Sequence, residues 1–298
     1  MTNPILFWPG VLGILFLVAG IITHRRDFQA SSGDGAFGLT AFGPAFVAAS
    51  LAAFAGEHFT IAPTLAKMVP KFLPGRLFIA YFVGVALLAA ALSYVARRYV
   101  RWAGLGVALN FALFVLLMDL PSAIAHPTVR MAWSLASREG TFAIGGLAVF
   151  AATSGGRAGR TAILTTIIRI WTAVVLVFYG IENVVFPQFA PGVPSQIPTP
   201  AWVPLAWVIT CVTGILVVIF GFMMFAEKYA GAAAARCGLL MAVLTALIYA
   251  PQWAMAVGTS AQVLAINFVF DTLLFAGTML VIARAISVQR GTVRSANA

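Results

Sequence analysis

The chain has 298 residues, of which 62% are apolar and 9% are charged, and its formal charge is +10. Soluble domains carry roughly 25% charged residues, so this composition excludes an ordinary soluble protein. Apolar runs without alternation exclude a transmembrane barrel. The basic residues are mostly arginines beside apolar runs, which indicates membrane topology rather than a nucleic-acid surface. We therefore predict an all-α polytopic membrane protein that contacts the lipid bilayer and no nucleic acid.

The N-terminal apolar run covers residues 5–22 and is followed by the basic sequence His24-Arg25-Arg26. A cleavable signal peptide carries its positive charge before the apolar region. The run therefore predicts a retained transmembrane helix, which forms an N-terminal unit of residues 1–28. The polar residues that follow, 27–36, predict a linker.

The rest of the chain is organised around an apparent internal duplication. The segment 54–76 reads FAGEHFTIAPTLAKMVPKFLPGR, and a weaker copy at 178–200 reads FYGIENVVFPQFAPGVPSQIPTP. In both copies the prolines forbid a long regular helix, and the apolar residues between them predict an interfacial element that lies on the outer leaflet or folds back over the bundle. The pairs at one constant interval are Phe54 with Phe178, Gly56 with Gly180, Val69-Pro70 with Val193-Pro194, and Pro74 with Pro198.

Each repeat holds four predicted spans, which gives about nine with the N-terminal helix. Because four is an even number, both repeats share one orientation, related by an axis along the membrane normal. Repeat 1 is 37–155, repeat 2 is 161–286, and a cytoplasmic tail covers 287–298. The predicted spans lie at 37–58, 76–96, 102–121, 129–153, 161–183, 202–223, 236–256 and 262–284.

The distribution of basic residues predicts the orientation of the chain. Most arginines fall in segments that become cytoplasmic if the N-terminus is outside and the C-terminus is cytoplasmic. The predicted location is the plasma membrane, which in a bacterium is the cell inner membrane. The outer loop after the first span of repeat 1 is a local exception, because it contains Lys67, Lys71 and Arg76.

Five of the eight acidic residues map to the predicted outer half of the membrane: Glu57, Asp119, Glu139, Glu182 and Asp271. Charged groups are costly in a bilayer and face the bundle interior, where they mark functional sites. Asp271 lies in the middle of an apolar run, with Asn267 one helical turn earlier on the same face. Arg138 precedes Glu139 and is placed to neutralise a neighbouring acid.

The candidate catalytic cluster consists of Glu57, His58, Glu139 and Asp271. The alternative is that these groups only hydrogen-bond helices to one another and hold the bundle together. Two histidines near carboxylates are also weak candidates for a divalent metal site, namely His58 and His126, although they lack a metal-binding spacing. Asn110, in the middle of a span, predicts an interhelical hydrogen bond. The residues alone assign no cofactor.

Repeat 1 contains, in order, G-E-H-F, M-V-P-x-x-L-P, a span, a basic turn, a span ending near proline and a span opening with R-E. This order resembles the DoxX-like family of four-helix membrane proteins. The chain thus resembles a tandem DoxX-like protein with an additional N-terminal helix, and the likeness is better over 37–155 than over 161–284. The matching residues are Gly56, Glu57, His58, Phe59, Met68-Val69-Pro70, Leu73-Pro74, Pro121 and Arg138-Glu139, and in the copy Gly180, Glu182, Val193-Pro194, Pro198, Pro251 and Asp271.

This resemblance implies a membrane subunit of a quinone-linked redox complex. Quinone is then the candidate cofactor, a membrane or peripheral redox protein the candidate partner, and any activity that of an oxidoreductase subunit. Two alternatives remain open from the residues. Membrane-embedded carboxylates between repeats also suit a small-solute or proton-coupled transporter, and the same chain could be a scaffold without chemistry.

Overall fold

The computed structural model describes residues 7–154, 158–193 and 197–296. Over this part of the chain the structure is helical, and its only β-type pairing is an isolated antiparallel bridge between Phe189 and Pro198. The all-α fold class is therefore confirmed. Pro194 of the duplicated motif, residues 1–6 of the N-terminal unit, residue 155 at the end of repeat 1 and residues 297–298 of the tail lie outside the described residues.

Twelve α-helices follow one another along the described chain, with a 3-10 segment at Ser32–Phe42 and π-helical turns at Val115–Asp119 and Thr245–Tyr249. The helices are α1 Trp8–Ala30, α2 Gly43–Thr60, α3 Ala62–Leu65, α4 Arg76–Ala96, α5 Val100–Phe114, α6 Leu120–Ala125, α7 Arg130–Thr153, α8 Ala158–Val185, α9 Ala206–Phe225, α10 Glu227–Leu244, α11 Ala250–Ala256 and α12 Gln262–Ala296.

Eight helical stretches among the described residues are long and apolar enough to cross a membrane, which makes the chain a multi-pass membrane protein. The ninth predicted span, 129–153, is present as the 24-residue helix α7. Its first ten residues include Arg130, Arg138 and Glu139, which make it less apolar than the others. It nevertheless packs against α5, α8 and α12 inside the bundle.

The polar linker predicted at 27–36 is wrong, because α1 continues to Ala30 and a 3-10 segment follows it directly. Asp27 connects the last turns of α1 to the bundle. Its carboxylate pairs with Arg97, the residue directly after α4, at 2.9 Å and lies 4.0 Å from Arg284 of α12. One charge at the end of α1 therefore joins three helices.

Two further helix boundaries differ from those predicted from the sequence. α10 begins at Glu227 instead of residue 236, since the sequence AGAAAAR is rich in alanine, the residue with the highest helix propensity. The predicted tail 287–298 is helical as far as the structure describes it, because α12 continues to Ala296.

Helix α12 lies at the centre of the bundle. Its apolar stretch is 94% buried, against 28% for α1, so α12 faces protein on nearly every side whereas α1 leaves a broad face for lipid. α12 contacts α2, α7, α8 and α10. The side chains that α12 carries are consequently placed where several helices meet.

The helix contacts occur in matching pairs. Within the halves, α2 packs on α4 as α8 packs on α9, and α5 packs on α7 as α10 packs on α12. Between the halves, α2 contacts α12 and α7 contacts α8. The two π-helical turns also lie 130 residues apart (115 to 245), each just before a proline, Pro121 or Pro251. This pairing agrees with the predicted order of spans, while the exact repeat boundaries stay a prediction.

The two proline-rich loops differ in their position. In the first proline loop, residues 61–75, the side chains of Met68 and Phe72 are 63% and 72% exposed. In the second proline loop, residues 186–205, Ala190 and Val193 are buried in the bundle. The first loop is therefore exposed and the second is folded back onto the bundle, while the position of either loop at the outer leaflet stays a prediction.

The close approach of α12 to α2 depends on Gly277. A Cβ atom at this position would lie 2.8 Å from the Val47 nitrogen and 2.9 Å from the Gly43 oxygen, both of which are backbone atoms of α2. Backbone cannot move aside as a flexible side chain can, so a methyl group here must push the two helices apart.

We predict that Gly277→Ala lowers the free energy of unfolding by about 1–3 kcal/mol, because overpacking a tight helix contact has this cost. Thermal unfolding of the purified protein in one detergent measures the effect. Gly106→Ala is the matched control, since a Cβ at Gly106 meets nothing within 4 Å. Equal unfolding temperatures for both variants would contradict the packing described here.

Candidate functional site

A buried salt bridge joins α7 to α12. The Arg138 Nη1 atom lies 2.8 Å from Asp271 Oδ2, and the two residues are only 9% and 5% exposed. Isolated charges are strongly unfavourable in such surroundings. Each of the two groups therefore depends on the other for its charged form.

The carboxyl group of Glu57 lies beside this salt bridge. Glu57 is 6% exposed near the end of α2, and both of its oxygens accept hydrogen bonds from Asn267 Nδ2, at 2.9 and 2.8 Å. Asp271 lies one turn after Asn267 and close enough to Glu57 for their negative charges to repel each other. The expected shared face of Asn267 and Asp271 is thus turned toward α2.

A second pair of acids also lies near Arg138. Asp119 ends the π-helical turn after α5, and its carboxyl group lies close enough to the Glu139 carboxyl group on α7 for their negative charges to repel each other. The two groups can share a hydrogen bond only while one of them carries a proton, since ionised carboxylates only accept. Both residues are half-buried, so this pair is the more accessible part of the site.

A polar ladder between α7 and α8 leads from the start of α7 to Arg138. Arg130 Nη1 donates to Glu182 Oε1 at 3.1 Å, and its guanidinium lies 4.6 Å from the ring centres of both Phe186 and Phe189. One helical turn further, the Tyr179 hydroxyl donates to the Ser134 carbonyl oxygen at 2.5 Å.

Residues at equivalent positions of the two predicted repeats are chemically different. Asp119 and Tyr249 both end a π-helical turn and are 130 residues apart (119 to 249). Tyr249 is buried and donates its hydroxyl to the Pro191 carbonyl at 2.7 Å, which anchors the second proline loop. Asn183 holds the same loop through both its amide atoms, which bond Gly192 at 2.9 and 2.8 Å.

Of the candidate cluster predicted from the sequence, Glu139 and Asp271 lie near Arg138, and Glu57 lies beside Asp271 and Asn267. His58 does not join them, because consecutive residues on a helix point in different directions. Its Nδ1 atom instead pairs with the Ala80 carbonyl oxygen of α4 at 2.7 Å.

The metal candidates His58 and His126 likewise form no ligand set in the structure. His126 is exposed after α6. Within the described part of the chain, no group of three or more His, Cys, Asp or Glu side chains is arranged to hold a metal ion. The remaining chemistry is therefore that of carboxyl groups around one guanidinium.

Sequence reasoning missed the roles of Tyr179 and Ser134. A signal was present, because Tyr179 precedes Glu182 by three residues on α8 and Ser134 lies four residues from both Arg130 and Arg138 on α7. These spacings place each set on one helix face. The spacing does not indicate that these faces of α7 and α8 pack against each other.

We name Glu57, Asp119, Arg138, Glu139, Asn267 and Asp271 the acid network. If all four carboxyl groups were ionised, a single guanidinium would leave three negative charges uncompensated in a site whose members are buried or half-buried. Such an arrangement is far too costly, so the network must retain protons or bind a cation. Two buried polar atoms within it, Arg138 Nε and Asp119 Oδ2, have no hydrogen-bond partner.

Comparison of the chain with protein-family models, with curated proteins and with solved structures finds no match. The DoxX-like resemblance of the motifs around Gly56 and Pro70 therefore stays a prediction.

We predict that Arg138→Gln lowers the free energy of unfolding by about 3–5 kcal/mol, because it leaves the buried Asp271 without its charge partner. The double variant Arg138→Gln with Asp271→Asn should recover most of this loss. Arg97→Gln serves as the control, because the exposed pair with Asp27 contributes about 0–1 kcal/mol. Thermal unfolding measures all three, and equal losses for Arg97→Gln and Arg138→Gln would contradict the buried salt bridge.

Proposed function

We propose that this multi-pass membrane protein transfers protons through the acid network, as a proton-coupled transporter does. The observation that carries the proposal is the imbalance of the network, in which four carboxyl groups are accompanied by a single guanidinium around α12, the helix that contacts both α2 and α7. Ionisable residues in a membrane bundle are expensive and mark proton and ion pathways.

The Asp119–Glu139 pair is the natural point of proton entry. The two carboxyl groups are half-buried and close together, and they can share a hydrogen bond only while one of them carries a proton. Loss of that proton would leave two negative charges in contact, which strongly favours separation or a new cation nearby. Proton binding is thereby linked to the position of Asp119 relative to α7.

Arg138 connects this pair to the deeper acids. Its guanidinium bonds Asp271 and also acts electrostatically on Glu139 and Asp119. When the outer pair loses its proton, its attraction for Arg138 increases, and Asp271 must then accept a proton to stay buried alone. A movement of the Arg138 side chain therefore couples the loss of a proton from Glu139 to the uptake of a proton by Asp271.

The location of the network suits such a shift. α2 meets α12 and α7 meets α8 at the contacts between the two predicted repeats, and Glu57 and Asp271 lie across the first of these contacts. Transporters built from repeats place their coupling sites at the repeat interface, where rocking of one half changes access.

We predict that Glu139→Gln and Asp271→Asn each abolish proton flux in proteoliposomes, because an amide cannot take up and release a proton. A pH-sensitive dye trapped in the vesicles measures the flux under an imposed pH gradient. Glu227→Gln is the control, because Glu227 is exposed at the start of α10 and outside the network, and its flux should equal that of the unaltered protein.

Unchanged flux in both network variants would overturn the proposal. If both variants instead lost their fold, as shown by size-exclusion chromatography and thermal unfolding, the acids would serve to fasten the helices, and the protein would be a scaffold.

A groove between α4 and α5 favours a second candidate function, the quinone-linked redox subunit that the DoxX-like resemblance implies. The groove has a volume of about 260 Å³ and runs from Tyr99 and Trp102 to Asn110, along alanine and glycine positions. The interhelical hydrogen bond predicted for Asn110 is absent, because its Nδ2 atom is buried without a partner.

A quinone ring fits the chemistry of this groove. A buried amide donor without an acceptor costs about 1–3 kcal/mol, and a ring carbonyl provides an acceptor at a depth where phospholipid chains have none. The aromatic side chain of Trp102 provides a flat surface for the ring or its tail. Reduction of a bound quinone takes up protons and electrons, so this function also requires an electron-donating redox partner.

We predict that quinone co-purifies with the protein in mild detergent and that Ala90→Phe, which fills the groove, removes it. Leu92→Phe is the matched control, because Leu92 is 52% exposed on α4 and is not part of the groove lining. Organic extraction followed by chromatography measures the quinone. An extract of the unaltered protein without quinone would exclude this candidate.

A further inference from the structure

The two proline loops differ in charge as well as in position. The segment from 59 to 76 carries Lys67, Lys71 and Arg76 and no acidic residue, whereas the second proline loop, 186–205, has no charged residue at all. The second loop is held down on the bundle by Asn183 and Tyr249, so its interior position is explained. The charges of the first loop have no such structural role.

The three cations of this segment are exposed, and none of them forms an ion pair within the described ranges of the chain. They are accompanied by large apolar side chains that are also exposed, Phe72 by 72% and Phe78 by 71%. Exposed aromatic groups interleaved with unpaired cations are typical of a segment that lies at the boundary between lipid and water.

A pocket brings two of the cations together. It lies between the first proline loop and the start of α4, has a volume of about 400 Å³ and is lined by Lys67, Arg76 and Phe78 among others. Gly75 forms part of the wall with a φ of +65°, which lets the chain turn into α4 immediately before Arg76. Both basic residues therefore line one concave surface beside the start of α4.

We propose that this pocket binds the phosphate group of an anionic phospholipid, with Lys67 and Arg76 as its charge partners. Phe72 and Phe78 then enter the adjoining acyl region of the same leaflet. Lysine and arginine both bind phosphate oxygens, arginine with two parallel hydrogen bonds. Basic residues next to membrane spans attract anionic headgroups, and the apolar side chains add a contact that a free anion would lack.

The occupant is a lipid rather than a soluble acidic protein because of where the pocket opens. It adjoins α4, whose exposed residues Leu77, Phe78, Tyr81 and Phe82 continue the apolar surface along the helix. A phospholipid whose phosphate group lies in the pocket can thus align its acyl chains with a lipid-facing helix. This site is independent of the acid network and of the groove near Asn110.

The test measures the thermal unfolding of the full chain in detergent with added phosphatidylglycerol, phosphatidylcholine or inorganic phosphate. We expect phosphatidylglycerol to raise the unfolding temperature more than the other two. The variant Lys67→Gln with Arg76→Gln should weaken the apparent lipid affinity by roughly 25-fold, since each basic residue near the membrane surface contributes roughly a fivefold change in affinity. The charge-conserving variant Lys67→Arg with Arg76→Lys should retain it.

The matched control is Arg25→Gln with Arg26→Gln. It removes two exposed charges near the C-terminal end of α1, which lies beside the end of α4 away from the pocket, and it should keep the selectivity for phosphatidylglycerol. Lys67→Gln alone provides the test if the double variant does not purify, with part of the affinity lost. Equal effects of both lipids, or equal losses in the two double variants, would overturn the proposal. A full effect of inorganic phosphate would show a free oxyanion site and overturn the lipid assignment.

Discussion

The buried Arg138–Asp271 salt bridge is the interaction on which the rest of the structure depends. It fixes α7 against α12, the helix at the centre of the bundle, and it sets the charge of the whole acid network. Desolvation makes such a pair a weak source of net stability but makes the loss of either partner very unfavourable. The salt bridge therefore specifies how the helices meet, and it restricts which of the neighbouring carboxyl groups can be ionised at one time.

The two halves of the bundle use related positions for different purposes. The first half has Asp119 at the end of its π-helical turn and an outward proline loop with unpaired cations, whereas the second half has Tyr249 and a loop folded onto the bundle. π-helical turns are frequently found at functional sites, where they re-aim a side chain. The first half thus supplies three of the four acids of the network, Glu57, Asp119 and Glu139, and the second half contributes Asp271.

The sequence predicted the all-α membrane fold and the convergence of Glu57, Glu139 and Asp271, because the cost of a charge in a bilayer leaves an acid few places to lie. It also predicted the shared face of Asn267 and Asp271 from their spacing. It did not identify which acid Arg138 would bond, because contacts between distant helices leave no local pattern. The prediction that His58 joins Glu57 in one site was wrong, since the side chains of consecutive residues on a helix point in different directions. The linker predicted at 27–36 is instead helical, and Asp27 within it bonds Arg97, another contact between residues distant in the sequence.

The central claim is that the acid network holds exchangeable protons at neutral pH, and infrared difference spectroscopy of the carboxylic acid C=O stretch tests it most directly. Spectra of the purified protein in H₂O and D₂O should show protonated carboxyl bands that shift on exchange, and Glu139→Gln should remove one of them while Glu227→Gln leaves them unchanged. Complete absence of a protonated carboxyl band in the unaltered protein at neutral pH would contradict the claim, because all four acids would then be ionised around a single arginine.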